Sequence, residues 1–405
     1  MPKSILNSDL HQFYHHLKTP IFAEVKLKCN NYCMTVGILK EPNSENRVSL
    51  LPEQAEALIK KNVQVVIEKG AGANAFAGDD VYAAKQVTVS SRQQALASDI
   101  VLSIHPLTDD DLQHLKPSSV VIGVFQPLFK FNQMKQWSEK GITAFSLDMI
   151  PRTTRAQSMD VLSSQANIAG YRAVLLAANT YSRYFPMFMT AAGSIAPAKV
   201  LILGAGVAGL QAIATAKRLG AVVEVFDTRP VVKEEVMSLG AKFVEVEGAA
   251  DASSAGGYAV EQTEEYKQKQ QQKIAESIAK ADIVITTAQI PGKKAPILIT
   301  EQMMDAMKPG SVIIDLASAT GGNTPFTKDN ETVLRKGVSI IGNSNLAGGM
   351  PSDASKLYGK NVLNFLQLII DKEGTLVLNF EDDIVFGSCI SHDRNIINER
   401  VKALL

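Results

Sequence analysis

The sequence predicts an α/β protein of two doubly wound domains, each a parallel β-sheet covered by helices on both faces. Three observations carry that prediction. Short apolar runs alternate with longer amphipathic stretches along most of the chain. The alternation occurs in two series, separated by a long stretch rich in Ala, Leu and Ser from Met159 to Tyr184. A glycine cluster, Gly204-Ala205-Gly206-Val207-Ala208-Gly209, stands at the head of the second series, between an apolar run and a helical stretch. Strands that alternate with helices pair in parallel, because each crossover helix lies across a sheet face and buries it.

Residues 1–33 read as an extension, in which Ser8 or Asp9 is placed to cap a short helix through Leu17. The first series opens at Met34 with MTVGILKE, followed by a polar turn over Pro42 to Glu45. A helix is expected over Leu51 to Lys61, with Pro52 in its first turn, where no N–H is needed. Val63 to Glu68 is a strand ended by Gly70. Strands follow at Ile100–Ile104, Val120–Val124 and Ile142–Ser146, with a helix near Phe131–Lys140. Met159 to Tyr184 is a largely helical connection between the domains.

The second series has strands at Ala198–Leu203, Ala221–Phe226, Lys242–Val246, Ile283–Thr286, Val312–Asp315 and Val338–Ile341. Its helices run over Leu210–Leu219, ended by Gly220, and over Glu264–Lys280, a solvated Lys/Gln/Glu-rich stretch. A long helix over Asn361–Ile370 and a strand pair, Thr375–Leu378 with Ile384–Gly387, close the chain. The final helix packs most simply on the first domain. That domain then comprises residues 34–162 plus 352–405, and the second comprises residues 163–351.

Composition narrows the function classes. The chain has 405 residues, 46% of them hydrophobic, enough for two cores. Its 41 basic and 41 acidic residues cancel, so no global field draws it to nucleic acid or to an anionic membrane. No run approaches the ~18 apolar residues of a membrane span. The N-terminus lacks the apolar core of a secretory signal. The three cysteines, Cys29, Cys33 and Cys389, are too few and too uneven for a disulfide framework. Cys29 and Cys33 have the look of half a zinc site, but no second Cys/His pair stands at ligand spacing, so no metal is expected.

The glycine cluster carries the clearest chemistry. Gly204 permits a tight turn, Gly206 lets backbone approach a pyrophosphate, and Gly209 lets the helix pack against the sheet. The helix N-terminus at Val207 and Ala208 then offers N–H groups and a positive dipole end to phosphate. Asp227 ends the next strand, about 18 residues past Gly209, where a carboxylate binds a ribose 2′-OH. A carboxylate there favours NAD(H) over NADP(H), although a nearby Arg229 could accept a 2′-phosphate. Together these mark the second domain as Rossmann-like.

Further segments extend the pattern. They are Glu45-Asn46-Arg47-Val48, Pro151-Arg152-Thr153-Thr154-Arg155-Ala156-Gln157-Ser158-Met159-Asp160, Ser163 through Ala173 (SSQANIAGYRA), and Thr190-Ala191-Ala192-Gly193. After the glycine cluster come Phe226-Asp227-Thr228-Arg229-Pro230, Gly256-Gly257-Tyr258-Ala259, Thr286-Thr287-Ala288, Ile290-Pro291-Gly292-Lys293 and Gly310 through Ala317 (GSVIIDLA). From about Met34 nearly to the C-terminus, the chain resembles the alanine dehydrogenase/transhydrogenase family, and within it the NAD-binding component of proton-translocating transhydrogenase. The resemblance implies two Rossmann-like domains. It also implies an NADH-binding subunit that passes hydride to NADP⁺ on a partner subunit, with membrane subunits coupling the reaction to proton movement. It implies a homodimer peripheral to the inner membrane on its cytoplasmic side.

By motif match, Arg152, Gln157, Asp160 and Ser163 line the nicotinamide, with Gln157 reaching toward the partner's nicotinamide. Asp227, Thr228, Arg229, Gly257, Tyr258, Thr287, Ala288 and Leu316 join the glycine cluster as nucleotide contacts. Asn345 and Leu346 are weaker candidates. Tyr258 falls in what resembles a mobile loop that closes over the nucleotide, and Gly248–Gly257 (GAADASSAGG) suits such a lid. The chemistry agrees with these roles. Hydride transfer between two nicotinamides moves no proton at the reacting carbon, so it needs positioned rings in a dry site rather than an acid/base pair. Gln157 and Asp160 share a face if their segment is helical. The same residues could instead serve only to cap and pair around a helix start.

The sister enzyme, alanine dehydrogenase, needs a substrate-carboxylate binder and a proton-handling Lys and His. Arg47 matches the first. Ser103-Ile104-His105-Pro106 lacks the lysine and Val124-Phe125-Gln126-Pro127 lacks the histidine. His105 reads as a turn or surface histidine without an obvious partner. A non-enzymatic NAD sensor is the third reading, and nothing in the sequence excludes it.

Overall fold

The computed structural model describes residues 25–26, 34–246 and 263–405. The expected N-terminal cap at Ser8 or Asp9, the Cys29/Cys33 pair, the Gly248–Gly257 lid, Gly257 and Tyr258 lie outside the described residues. Two large sheets organise the rest. The first has eight strands in the order Asn395–Ile396, Cys389–His392, Thr143–Ser146, Val120–Gly123, Ile100–Leu102, Thr35–Ile38, Gln64–Glu68 and Thr88–Ser90. The second has seven, in the order Lys242–Phe243, Val222–Phe226, Lys199–Leu203, Ile283–Thr286, Val312–Asp315, Val338–Gly342 and Glu331–Arg335.

Both sheets are covered on both faces, and the alternation of side chains shows how. Val36, Ile38, Ile100, Leu102, Val120 and Ile122 share one apolar cluster, while Val66, Val101, Val121 and Ala144 point into another. In the second sheet Val200, Ile202, Ile283, Ile285, Val312 and Ile314 face one side, and Leu201, Leu203, Val284 and Ile313 the other. A strand buried on both faces reads as a continuous apolar run, which is why these strands stand out in the sequence.

Each sheet reverses its strand order once. Thr35–Ile38 lies between Gln64–Glu68 and Ile100–Leu102. Lys199–Leu203 lies between Val222–Phe226 and Ile283–Thr286. Crossovers leave such a strand in opposite directions and open a crevice at its C-terminal end. The Glu41–Val48 segment follows the first reversal strand, and the glycine cluster follows the second.

Two long helices tie the sheets together. Val161–Thr180 connects them in sequence. Pro351–Ile369 buries Tyr358, Val362, Phe365, Leu366 and Ile369 in the cluster that holds Val36, Ile38 and Val120 of the first sheet. Phe365 meets Phe145 of that sheet with ring centroids 5.4 Å apart.

Several expectations need correction. The sheets are mixed rather than wholly parallel, because Cys389–His392 runs antiparallel to Thr143–Ser146 and Glu331–Arg335 antiparallel to Val338–Gly342. Ile384–Gly387 is not a strand. Asp382 accepts hydrogen bonds from the Ile384 and Val385 N–H groups at 2.9 and 3.2 Å and caps a helix, Asp383–Ser388. Val377–Leu378 pairs instead with Val25–Lys26, antiparallel. The last long helix begins at Pro351, ten residues before Asn361, with proline at its first position. The helix after the glycine cluster begins at Val207 rather than Leu210, and the strand at Lys242 ends at Phe243. The connecting helix is shorter than expected, with a 3₁₀ turn, Thr154–Met159, before it.

Phe365→Ala removes a wholly buried ring that joins the chain's last long helix to the first sheet. It should destabilise the protein by about 3–5 kcal/mol, read from urea unfolding.

Candidate functional site

The glycine cluster is built for close approach. Gly204 has φ +105°, a left-handed conformation that side chains other than glycine adopt poorly. Its N–H donates to the Phe226 carbonyl at 2.8 Å, the last bond of the parallel ladder, and the turn begins there. A Cβ at Gly209 would overlap the Gly204 carbonyl oxygen, so the helix can sit this near the turn only with glycine there. A Cβ at Gly206 would meet nothing within 4 Å, so open space lies on that side. Gly206 is the N-cap of the 12-residue helix Val207–Arg218 and supplies no capping side chain. The first N–H groups of that helix, at Val207 and Ala208, therefore lack a side-chain acceptor, as a phosphate site requires. These features fit a dinucleotide pyrophosphate.

Asp227 sits at the end of the neighbouring strand, almost fully buried. Its Oδ2 accepts from the Ala205 N–H and from Arg229 Nη2, each at 2.7 Å. Its Oδ1 accepts from the Arg229 N–H at 2.8 Å and from Arg229 Nε at 2.9 Å. The carboxylate thus pins the glycine turn from outside and holds Arg229 in a fork, and that pairing raises the guanidinium pKa further. Arg229 is engaged with the acidic residue rather than poised alone for a 2′-phosphate. Thr228 between them is half-buried.

Thr287 closes the other side of the turn. Its Oγ1 donates to the Gly204 carbonyl at 3.2 Å. Ala288 is clamped by Asn323, whose Nδ2 donates to the Ala288 carbonyl at 2.9 Å while its Oδ1 accepts from the Ala288 N–H at 3.2 Å. Asn323 is fixed in turn by the wholly buried Asp315, which accepts from the Asn323 N–H at 2.6 Å. Leu316, half-buried beside Asp315, uses its carbonyl to accept from Gln289 Nε2 at 2.7 Å. No sequence signal marks the clamp by Asn323, since nothing in its Gly-Gly-Asn-Thr context distinguishes it from a surface turn.

Arg152, Gln157, Asp160 and Ser163 gather elsewhere, on one wall of a cleft of about 920 Å³. The cleft is also lined by Phe386, Asn398, Glu399 and Arg400 from the chain's end, which no local pattern marked. Asp160 caps the Val161–Thr180 helix. Its Oδ1 accepts from the Ser163 N–H at 2.8 Å and its Oδ2 from Ser163 Oγ at 2.6 Å. The capping role is therefore real, and Gln157 remains exposed toward the cleft. Neighbouring Arg155 is held by Asp382, at 2.6 and 2.9 Å, and by Asp383.

The two groups are linked by the connecting helix. A Cβ at Gly170 would overlap the Ala208 carbonyl, so this helix lies directly against the start of the glycine-cluster helix. Asn167 Nδ2 donates to Gln211 Oε1 across the same seam at 3.3 Å. Ser163 stands seven residues before Gly170, about 10 Å along the axis. That offset suits one ligand with its phosphates at Val207–Ala208 and one end near Asp160. Of the weaker candidates, Asn345 Nδ2 donates to the Ser44 carbonyl at 2.9 Å, and Leu346 is buried in the apolar cluster that also holds Ala205 of the glycine turn.

A charged cluster occupies the first sheet's crevice. Buried Glu41 accepts from the Ile104 N–H at 2.6 Å, and burial drives its pKa up to about 7. Glu45 is also buried, but Arg47 and His105 outweigh that burial and pull its pKa down to about 2. Arg47 Nε and Nη2 grip the two Glu45 oxygens at 2.8 and 2.6 Å. His105 Nε2 stands 3.0 Å from Glu45 Oε2. The expectation that His105 lacks a partner is overturned; chain separation hid it, since Glu45 lies sixty positions earlier.

Comparison with known proteins places the chain. Residues 37–169 match the family described as alanine dehydrogenase/PNT, N-terminal domain, and residues 173–399 its C-terminal domain. The chain belongs to the alanine dehydrogenase/PNT family. It is 46% identical over 376 residues to an NAD(P) transhydrogenase subunit alpha polypeptide of Rhodospirillum rubrum, covering 90% of this chain and 98% of that one. The crystal structure of transhydrogenase from Sinorhizobium meliloti superposes with a TM-score of 0.82 at 42% identity, over 90% of this chain and 100% of that chain. Alanine dehydrogenase 1 of Staphylococcus aureus is more distant, 27% identical over 353 residues, or 84% of this chain and 88% of that one.

The two carboxylates of the charged cluster make opposite contributions to stability against pH. Glu41 is raised from 4.5 to about 7 in the folded state, so the fold binds a proton that the unfolded chain has released, and stability falls as pH rises through that window. Glu45 is lowered from 4.5 to about 2, so its contribution is present above 4.5 and is lost as pH falls toward 2. Glu41→Gln cannot ionise. Its melting temperature relative to the unaltered protein should therefore rise as pH goes from about 5 to about 8. A difference that stays constant across that range would show that Glu41 titrates normally.

Proposed function

We propose that this chain is the NAD(H)-binding subunit of a proton-translocating NAD(P)⁺ transhydrogenase. It passes hydride from NADH to NADP⁺ bound on a partner subunit, and membrane subunits couple the transfer to proton movement. The observation that carries this reading is the match, over 90% of the chain at 46% identity, to a transhydrogenase alpha subunit. We read the chain as two domains, residues 34–162 plus 352–405 and residues 163–351. The two sheets, each with its own apolar clusters, support that division.

Bound NADH supplies the hydride; the chain supplies position. Val207 and Ala208 offer N–H groups to the pyrophosphate, and Gly204 and Gly209 allow the turn and helix that present them. Asp227 binds the adenosine ribose. Each of its oxygens already accepts two hydrogen bonds, so Arg229 must yield one of them to the ribose. Thr228, Thr287, Ala288 and Leu316 border this end of the site.

At the other end, Arg152, Asp160 and Ser163 hold the nicotinamide carboxamide, and Gln157 faces the acceptor ring. No acid or base is needed, since no proton moves at the reacting carbon. The dehydrogenase alternative needs a carboxylate binder and a proton-handling pair. Arg47 is occupied by buried Glu45, and His105 is held by the same carboxylate.

We infer a homodimer as well. The hairpin Phe188–Thr190/Gly193–Ile195 carries Met189, 73% exposed, and Phe188, whose ring stacks on Tyr184 at 5.0 Å. An apolar projection of this kind supports a protein contact. Among the described residues no helix is long and apolar enough to cross a membrane. From the likeness to a transhydrogenase alpha subunit we infer a peripheral position on the cytoplasmic side of the inner membrane, with the span supplied by other subunits.

The deciding experiment mixes the purified chain with an NADP-binding transhydrogenase component and follows hydride transfer from NADH to an NADP⁺ analogue. Alanine plus NAD⁺ is the parallel arm. Transfer without alanine oxidation is expected; alanine oxidation without transfer would identify a dehydrogenase, and NADH binding with silence in both arms a sensor. Gln157→Leu should lower the transfer rate at least about tenfold and leave NADH affinity within about threefold. Met189→Glu should shift the protein from dimer to monomer in sedimentation, and an unchanged mass would remove the hairpin from the interface.

A further inference from the structure

The Glu45–Val48 segment leaves the first sheet and makes polar contact with three elements outside it. Asn46 Nδ2 donates to the Gly348 carbonyl at 3.3 Å, in the loop after the last parallel strand of the second sheet. The Val48 N–H donates to Ser355 Oγ at 3.0 Å, on the Pro351–Ile369 helix. Arg47 Nη1 donates to Gln165 Oε1 at 2.8 Å, on the connecting helix. Gln165 is itself tied at its other end, where Nε2 donates to the Ala354 carbonyl at 3.1 Å.

Of these contacts, the one through Arg47 reaches the helix whose first turn lines the cleft. Its side chain is 11% exposed and that of Glu45 is wholly buried. A buried guanidinium keeps its charge only with a partner, and Glu45 accepts from it through both oxygens. The planar group is thereby locked, and the remaining nitrogen, Nη1, is aimed at Gln165. Gln165 lies two residues beyond Ser163 and five beyond Asp160, in the first two turns of the helix that Asp160 caps. Moving Gln165 moves that cap.

We propose that Arg47 is a positioning residue for hydride transfer, fixing the start of the connecting helix and, through it, Asp160 and Ser163. This role rests on the transhydrogenase reading above. It differs from binding a substrate carboxylate. An incoming carboxylate would have to displace Glu45, an internal carboxylate with no exposed surface, and would leave that charge buried and unpaired. His105 reinforces the arrangement from the solvent side by its contact with Glu45 Oε2. Buried Glu41 lies close enough to favour the Arg47 cation by its charge whenever it is ionised. A lysine could hold the charge at position 47, but its single nitrogen could not grip both Glu45 oxygens and reach Gln165 as a planar fork does.

The test uses the full chain with the NADP-binding component, and measures NADH affinity, transfer rate and melting temperature in parallel. Three variants are compared: Gln165→Leu, Arg47→Lys, and the double variant Glu45→Gln/Arg47→Gln, which removes both buried charges together. The proposal expects each folded variant to bind NADH within about threefold of the unaltered chain and to transfer hydride at least about tenfold more slowly. Gln165→Leu carries the most weight, because it leaves the Arg47–Glu45 ion pair in place; it costs the Arg47 Nη1 and Ala354 contacts, so its melting temperature should fall while the fold is kept. Unchanged transfer in folded Gln165→Leu overturns the role of Arg47 while leaving the transhydrogenase reading intact. A loss of NADH affinity equal to the loss of rate overturns it too, because a merely structural defect moves both together. An unaltered chain that transfers no hydride removes the transhydrogenase reading, and this role with it.

Discussion

The site depends on one close contact, the seam where the connecting helix lies against the start of the glycine-cluster helix. Gly170 sits on the Ala208 carbonyl, and Gly209 sits on the Gly204 carbonyl, so three layers of backbone are stacked with no side chain between them. Packing at this density tolerates no added methyl without displacement. The seam fixes the distance between the uncapped N–H groups at Val207 and the cap at Asp160. Everything proposed for the ligand follows from that fixed offset: phosphates at one end, a reacting ring at the other.

Around the seam, polar groups hold loops that carry no regular structure. Asp227 pins the glycine turn by the Ala205 N–H, Asp315 fixes Asn323, and Asn323 clamps Ala288. Arg47 and Glu45 do the same for the connecting helix from the other sheet. Buried groups of this sort are expensive unless paired, and here each has its partner within hydrogen-bond distance. Such bracing is what a reaction without acid/base chemistry requires, because its rate depends on how two rings are held.

Much of this was legible in the sequence, and the limits have physical causes. Ile283–Thr286 and Val312–Asp315 were placed to the residue because both faces are buried and the apolar run has sharp ends. The edge strand Glu331–Arg335 was missed because it is largely exposed and charged. The segment Ile384–Gly387 looks extended by composition, and only the capping by Asp382 makes it helical. At the site, the glycine cluster was readable since each glycine answers a local steric demand. The clamp at Asn323, the cleft lining at Asn398–Arg400 and the Glu45–His105 pair were not, because each joins residues distant in sequence.

The central claim is direct transfer between two rings, one of them held at the end of the connecting helix. The most direct measurement is isotopic: NADH deuterated at C4 in the transferred position is mixed with this chain, NADP⁺ and the NADP-binding component in ordinary water. The account predicts NADPH that carries the deuterium, formed only when both proteins are present. NADPH formed without the label would mean that hydrogen passes through a carrier or exchanges with solvent, and would contradict it.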